Sequence, residues 1–481
     1  MFDGYIRDHA RWGPRAIAAF LPGRQVSYAA FDAEIDRLGQ ALMALGLTPG
    51  DGRVVSVAIA EPYYQYLATA ALCRLNLASA AAADDAADLR LSDDAPPIYA
   101  PAGPLTHHLT AAWFLAALAA DAGPLPTLPR DPQALGRVML SSGTTRTPRR
   151  VALSWRRLEL GNHATLHEYC HGMHGVWIPL VGIDSMMGLA LVMGAWSVGA
   201  AAANAVPLAD LPARLETLPG GVLSLTPSQL RQLLASLPSG FEPQPRWRII
   251  CGGSLLPPAV AREARLRLTP DIRLLYGATE IGTLALGHAA DLEHDPGQIG
   301  ITPSDAIVEI VDEAGRPVPE GQSGEIRARG PRLAHGYLGD LAATAEQFRD
   351  GWFHTGDIGR RLPPEHPLPG RIVLEGRADD RMNLGGFKVM PGPLEAAGLD
   401  CPGVRDAAAF AVPDAGGLDQ CWLAIVADPG FAREALIAHL AGYPDLPRAN
   451  FAWTDEIPRN AMGKAERLRL RAAVLAATQG A

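Results

Sequence analysis

Three apolar runs in the middle of the chain constrain its fold more than any other feature. They are Gly221-Val222-Leu223-Ser224-Leu225, Trp247-Arg248-Ile249-Ile250-Cys251 and Ile272-Arg273-Leu274-Leu275-Tyr276. Each stops at a turn signal: Thr226-Pro227, Gly252-Gly253, and Gly277-Ala278-Thr279-Glu280. Short apolar runs cut off in this way read as strands of a mostly parallel sheet. In an open α/β sheet, ligands gather at the carboxyl ends of the strands. The fold class expected is therefore α/β, with these turns lining one site.

A further run, Val138-Met139-Leu140, ends at Ser141-Ser142-Gly143-Thr144-Thr145, with Arg146, Arg149 and Arg150 close behind. Backbone N–H groups of a glycine-containing turn form an anion-binding concavity, and Ser/Thr hydroxyls add neutral donors. Guanidiniums supply charge for phosphate oxygens. The signature GxxxxGK[ST] is absent, so this is no Walker loop. On its own the stretch reads better as a polar surface turn with ordinary basic residues; the motifs nearer the C-terminus raise it to a polyphosphate grip.

Length and charge exclude several classes. The 481 residues are enough for two or more domains, and 48% hydrophobic with 19% charged residues is globular. A net charge of −9 argues against a general nucleic-acid binder. Cys73, Cys170, Cys251, Cys401 and Cys421 are scattered without a CxxC pair, as expected of a reduced, cytoplasmic protein. The start, Met1 to Tyr5, lacks a basic cap followed by an apolar run, so no signal peptide is expected. Residues 185–203 carry no charge but are rich in Ala and Gly, and read as a buried helix, not a membrane span. His163, His167, His171 and His174 recur near helical spacing. Without a carboxylate or second cluster they read as an exposed face, not a metal site.

In chain order, residues 15–60 predict strand, turn, helix and strand, and Tyr63 to Leu77 another helix. Residues 78–135 give no clear pattern. From Ile307 to Arg327 short strands and Gly/Pro turns point to a small β-rich unit. Beyond Gly376 the chain mixes helix and strand, as in a separate lid. Lysine use is biased: Lys388 and Lys464 are the only lysines beside forty arginines, which marks sites that need a flexible point charge.

With these residues in view, the chain resembles the adenylate-forming superfamily of acyl- and aryl-CoA synthetases, luciferases and nonribosomal adenylation domains. The resemblance rests on the loop at 141–150, Tyr276 to Glu280, Gly324-Glu325 through Gly336-Tyr337, and Gly351-Trp352-Phe353-His354-Thr355-Gly356-Asp357. Gly376-Arg377-Ala378-Asp379-Asp380 and Pro458-Arg459-Asn460-Ala461-Met462-Gly463-Lys464 complete it. Each motif alone is weak, but six in order over nearly the whole length are specific.

The resemblance implies a large multi-subdomain α/β domain with a β-rich subdomain at 1–376 and a small mobile α+β lid at 377–481, hinged at Asp379. It implies ATP, Mg²⁺ and CoA, or the phosphopantetheine of a carrier protein, together with a small carboxylic acid. Thr279 would meet the α-phosphate and Glu280 hold Mg²⁺. Ser141, Ser142, Gly143, Thr144, Thr145 and Arg149 would take the other phosphates. Tyr276, with Gly252, Gly253 and Gly277, would line the adenine. Asp357 would accept the ribose hydroxyls, with Arg377 beside it. Lys464 would bridge the substrate carboxylate and the ribose side, while Lys388 is either a contact of the thiol ligand's phosphates or a solvated lysine. The function implied is an AMP-forming carboxylate–thiol ligase for an aryl or medium-chain acid with CoA as acceptor. Its alternatives are a freestanding adenylation enzyme serving a carrier protein and a degenerate nucleotide-binding homologue.

The chain departs from the family pattern. Arg146 and Arg149 stand for the usual Gly and Lys, Asn383 for a frequent lysine, and Pro393 for a frequent glutamate. Val181-Gly182-Ile183-Asp184 lacks the usual aromatic or histidine. Asp184, Met187 and Gly188 are candidates for the acid pocket, since amino-acid-activating relatives place an aspartate in this region against the substrate ammonium. From its own surroundings Asp184 reads instead as the cap of a helix starting near Ser185. That reading predicts acids without an amino group.

Overall fold

A computed structural model of the protein describes residues 2–94, 104–141, 148–168, 175–203, 207–384, 387–413, 419–459 and 465–479. The central runs are strands: Gly221–Leu225, Trp247–Gly252 and Ile272–Ala278. They lie side by side in an eight-stranded sheet, flanked by Val176–Pro179, Ala201–Ala203, Ile17–Leu21 and Arg24–Ser27, with Gly282–His288 at the other edge. All inner pairings are parallel, and only the two outermost strands turn back antiparallel. Gly221–Leu225 and Val176–Pro179 are buried at every position. Both faces of the sheet are covered by helices, so no polar alternation is needed.

A second sheet of six strands draws several of them from residues 78–135, where the sequence showed no pattern. Its order is Leu105–His108, Leu89–Ser92, Val54–Ala58, Ala78–Ala80, Leu135–Leu140 and Arg150–Ser154. Only the last pair is antiparallel, so the loop between them closes a hairpin. Its strands are as short as Ala78–Ala80, and Ala-rich segments carry little strand signal of their own. One apolar core, with Phe31, Leu67, Trp177 and Trp196 among its residues, joins this sheet to the first through their shared helices.

The uncharged stretch at 185–203 divides into the helix Met186–Ser197 and the strand Ala201–Ala203. Twelve residues of helix rise about 18 Å, too short for a bilayer. Among the described residues no helix is long and apolar enough to cross a membrane.

A third, antiparallel sheet forms the β-rich unit. It contains Gln298–Gly300, Ile372–Arg377, Trp352–Arg361, Gly324–Arg329 and Ile307–Val311, with Phe348–Arg349 paired to Trp352–Arg361. A smaller C-terminal α+β domain comes next. It has the hairpin Met382–Leu384/Phe387–Val389 and the sheet Val404–Pro413, Asp419–Ala427, Asn450–Trp453. The helices Pro391–Leu399, Arg433–Leu440 and Arg467–Gln479 complete it. Asp406 ties this domain to the large one: it takes Arg459 at 2.7 Å and Arg231, from the helix Pro227–Ser236, at 3.3 Å.

Candidate active site

The ends of the parallel strands and of the third sheet meet at one place. Gly252 pairs with Leu275, so the Gly252-Gly253 turn lies beside Tyr276. The strand Ile272–Ala278 then reverses into Gly282–His288 through Thr279, Glu280 and Ile281. That reversal requires Gly277, because a Cβ there would stand 2.3 Å from the Gly282 carbonyl oxygen. Asp357 and Arg377 are register partners on adjacent strands of the third sheet.

Tyr276 donates its hydroxyl to Asp357 Oδ2 at 2.6 Å. Arg377 Nη1 donates to Asp357 Oδ1 at 3.2 Å and to the Thr355 carbonyl at 2.9 Å. The Asp357 N–H is in turn held by Thr355 Oγ1 at 3.0 Å. Burial, reinforced by the Asp357 charge, pushes the Tyr276 phenol well above its usual range, so it remains a donor. The Asp357 carboxylate is thus fixed by two donors, with lone pairs left over for a diol.

Glu280 is 6% exposed. Its carboxylate accepts the Tyr337 hydroxyl at 2.8 Å, and the Gln347 amide lies 2.9 Å from the same hydroxyl. Burial raises the Glu280 pKa above the ordinary carboxylate range, opposed by the Tyr337 hydrogen bond. The backbone of this turn is held from both sides. Arg157 Nη2 donates to the Thr279 carbonyl at 2.6 Å, and the Ala334 N–H donates to the Glu280 carbonyl at 2.7 Å.

Arg149 reaches the same corner. Its guanidinium lies 5.0 Å from the centroid of the Tyr337 ring, with Glu346 at 3.7 Å and Asp340 at 4.0 Å. Both carboxylates are substantially exposed, so the stacking on Tyr337 is what orients it. The base of its loop is closed by the Ser141 N–H to the Arg149 carbonyl, 2.8 Å, and the Arg149 N–H to Ser141 Oγ, 3.1 Å. Ser142, Gly143, Thr144, Thr145 and Lys464 lie outside the described residues, as does the side chain of Lys388.

The capping reading of Asp184 is corrected by the structure. Ser185 is the cap of the helix Met186–Ser197, accepting the Gly188 N–H at 3.0 Å. Asp184 turns the other way, taking the Ala82 N–H at 3.1 Å and Arg137 Nη2 at 3.2 Å. Arg137 is a buried guanidinium on the strand Leu135–Leu140, also bonded to Ser79 Oγ and the Ile183 carbonyl. A cation held there needs a counter-charge, and that need outweighs a cap which serine supplies equally well. Met187 stands against Gly252, its sulfur 3.3 Å from where a Cβ would sit. Gly188 is pressed on the carbonyls of Val181 and Gly182, where a Cβ would fall 2.0 Å and 2.4 Å from oxygen. At Gly182 a side chain would enter open space.

Among the described residues no cluster of three or more His, Cys, Asp or Glu could cage a metal. Glu280 is the buried carboxylate at this corner. The residues that sequence reasoning left without a role are Tyr337, Thr355, Arg137 and Arg157. Tyr337 closes the motif that begins at Gly324, but nothing local signals the other contacts.

Comparison with known proteins gives the family to which this two-domain α/β frame belongs. The profile of the AMP-binding enzyme family matches residues 75–338, and the chain belongs to that family of AMP-forming acid–thiol ligases. It is 31% identical to a sulfoacetate–CoA ligase of Cupriavidus necator over 73% of this chain and 69% of that one. It is 29% identical to a feruloyl-CoA synthase of an Amycolatopsis species, over 95% of each chain. The fold superposes on the ATP-bound MatB of Rhodopseudomonas palustris with a TM-score of 0.83 at 22% identity, covering 98% of this chain and 99% of that one.

Proposed function

We propose that the protein joins a carboxylic acid lacking an amino group, aryl or medium-chain, to CoA in two half-reactions. First the substrate carboxylate attacks the α-phosphorus of ATP, the bond to the β-phosphate oxygen breaks, and pyrophosphate leaves. Then the thiol sulfur, having given up its proton, attacks the acyl carbon and AMP departs. The observation that carries this reading is the Asp357 carboxylate, fixed by Tyr276 and Arg377 beside the Thr279–Glu280 turn.

In the first half-reaction Asp357 accepts the ribose hydroxyls, and Tyr276 with Gly252, Gly253 and Gly277 lines the adenine. Thr279 and Arg149 meet phosphate oxygens, together with Ser141, Ser142, Gly143, Thr144 and Thr145. Lys464 draws two anions together, which supplies most of what such a reaction needs. Glu280, oriented by the Tyr337 hydroxyl, would hold Mg²⁺, whose charge would offset that of the phosphates. Lys388 serves the thiol ligand's phosphates.

Asp184 supports an acid without an amino group. Its carboxylate is already neutralised by Arg137, so an ammonium would have to displace a buried guanidinium. CoA as the thiol is supported by the names of the relatives; a carrier-protein phosphopantetheine is the second reading.

We place the lid at 377–481 and its hinge at Asp379. Arg377 is bonded to the large domain through Asp357 and Thr355, whereas Asp380 pairs with Arg467 of the last helix at 3.0 Å. The exposed residue between these two anchors can absorb a rotation. A cytoplasmic site of action fits buried free thiols at Cys73, Cys251, Cys401 and Cys421.

Pyrophosphate exchange with a panel of acids, followed by CoA-thioester formation, tests the whole reading. Aryl or medium-chain acids should support both steps. Exchange with no acid would leave a nucleotide-binding homologue, and exchange without transfer to CoA would favour the carrier protein.

A further inference from the structure

A second basic feature lies behind the Thr279 carbonyl. The end of the strand Arg150–Ser154, the first turn of the helix Trp155–Glu168 and the segment 331–335 enclose a recess of about 100 Å³. Arg157 is its buried member, Arg156, His335 and Gln133 form an exposed rim, and Ser154 adds a hydroxyl. No carboxylate of the described residues lines it, and neither Arg156 nor His335 has a carboxylate partner among them.

Arg157 is 5% exposed; its backbone N–H donates to Ser154 Oγ at 3.2 Å, and the one hydrogen bond of its guanidinium among the described residues runs from Nη2 to the Thr279 carbonyl. Its Nε has no acceptor among them. Arg332, 3% exposed and paired with Asp305 at 2.6 Å, lies near enough to repel it, and the Arg332 Nε also lacks an acceptor. Burial first, and then Arg332, draw the Arg157 guanidinium down to about 9, with Glu280 opposing. A guanidinium carries five donors and is costly to bury with so few acceptors. The recess has the volume of about three waters at roughly 30 Å³ each, room for one tetrahedral anion.

We propose that this recess binds an inorganic oxyanion of the size of orthophosphate on Arg157, Arg156 and His335, apart from the nucleotide site at Asp357. Oxygens presented to a planar guanidinium make paired, charge-assisted hydrogen bonds, and at the mouth the exposed Arg156 adds charge and His335 a ring N–H donor. The site rests on charge and volume and stands whether or not the adenylation reading holds.

Equilibrium dialysis of the full chain against radiolabelled orthophosphate tests it, with and without saturating Mg²⁺ and α,β-methylene-ATP to fill the nucleotide's own phosphate positions. The expected result is one anion bound per chain with the analogue present. The double variant Arg156→Ala/His335→Ala should weaken that binding at least tenfold, with analogue affinity and thermal midpoint unchanged. Both positions are exposed, so this variant does not depend on replacing a buried residue; Arg157→Gln should abolish binding as well. Loss of phosphate binding when the analogue is added, or unchanged binding in the double variant, would overturn the proposal.

Discussion

Replacing Asp184 with asparagine separates a structural carboxylate from one that reads the substrate. In the structure Asp184 neutralises Arg137, whose side chain is 2% exposed while that of Asp184 is 37% exposed. Removing one partner of a fully buried pair costs about 3–5 kcal/mol, whereas an exposed pair is worth about 0–1 kcal/mol. Water screens one side of this pair, and Ser79 Oγ and the Ile183 carbonyl still accept from Arg137 in the variant. Asparagine also keeps an oxygen for the guanidinium. We therefore expect a loss of about 1–2 kcal/mol, between those limits. At roughly 2–4 °C per kcal/mol for domains of about 150–250 residues, and less for a larger one, the apparent melting midpoint should fall by a few degrees. Burial, against the pull of Asp184, already lowers the Arg137 pKa, so the variant guanidinium is less easily kept charged. Differential scanning fluorimetry and pyrophosphate exchange on the same preparations decide the matter. Exchange per folded enzyme should be unchanged with aryl and medium-chain acids. The double variant Arg137→Met/Asp184→Asn should recover part of the stability, since an apolar replacement leaves no stranded charge. An unchanged midpoint together with lost exchange would refute this account and make Asp184 a substrate contact, bringing amino acids to the front.

Glu280→Gln should abolish Mg²⁺-dependent exchange yet raise the melting midpoint of the ligand-free protein at neutral pH. Burial raises the Glu280 pKa, so the folded state binds more protons than the unfolded one between the two pKa values. In the wild type that contribution to stability is present in full below the unfolded value and is lost as pH rises through the folded one; a midpoint difference independent of pH would contradict it. Lys464→Ala should slow adenylate formation by roughly two to three decades, the scale of one lost electrostatic donor. Thioester formation from supplied acyl-adenylate should be far less affected, and equal losses in both halves would count against a lysine used in only one state. Asp379→Pro, which fixes φ near −65°, should spare one half-reaction and slow the other, measured by exchange and by transfer from adenylate; normal rates in both would move the hinge.

What the sequence determined by itself was the strand ends and the order of the motifs. Turn residues at the close of an apolar run are a local signal, so the turns at Gly252-Gly253 and Tyr276 to Glu280 could be placed before any fold was known. The β-rich unit after Ile307 was legible for the same reason. Residues 78–135 were not, because Ala-rich strands such as Ala78–Ala80 owe their existence to neighbours in the sheet and not to propensity. Only the tertiary structure decided what each polar side chain faces. Asp184 looked like a helix cap, and it became the counter-charge of Arg137, 47 residues earlier. Tyr337 reaches Glu280 across 57 residues, and Arg157 reaches the Thr279 carbonyl across 122. A cap or a turn is settled within a few residues of chain. The partner of a buried charge is settled by which strands happen to be adjacent, and that adjacency is a property of the folded whole.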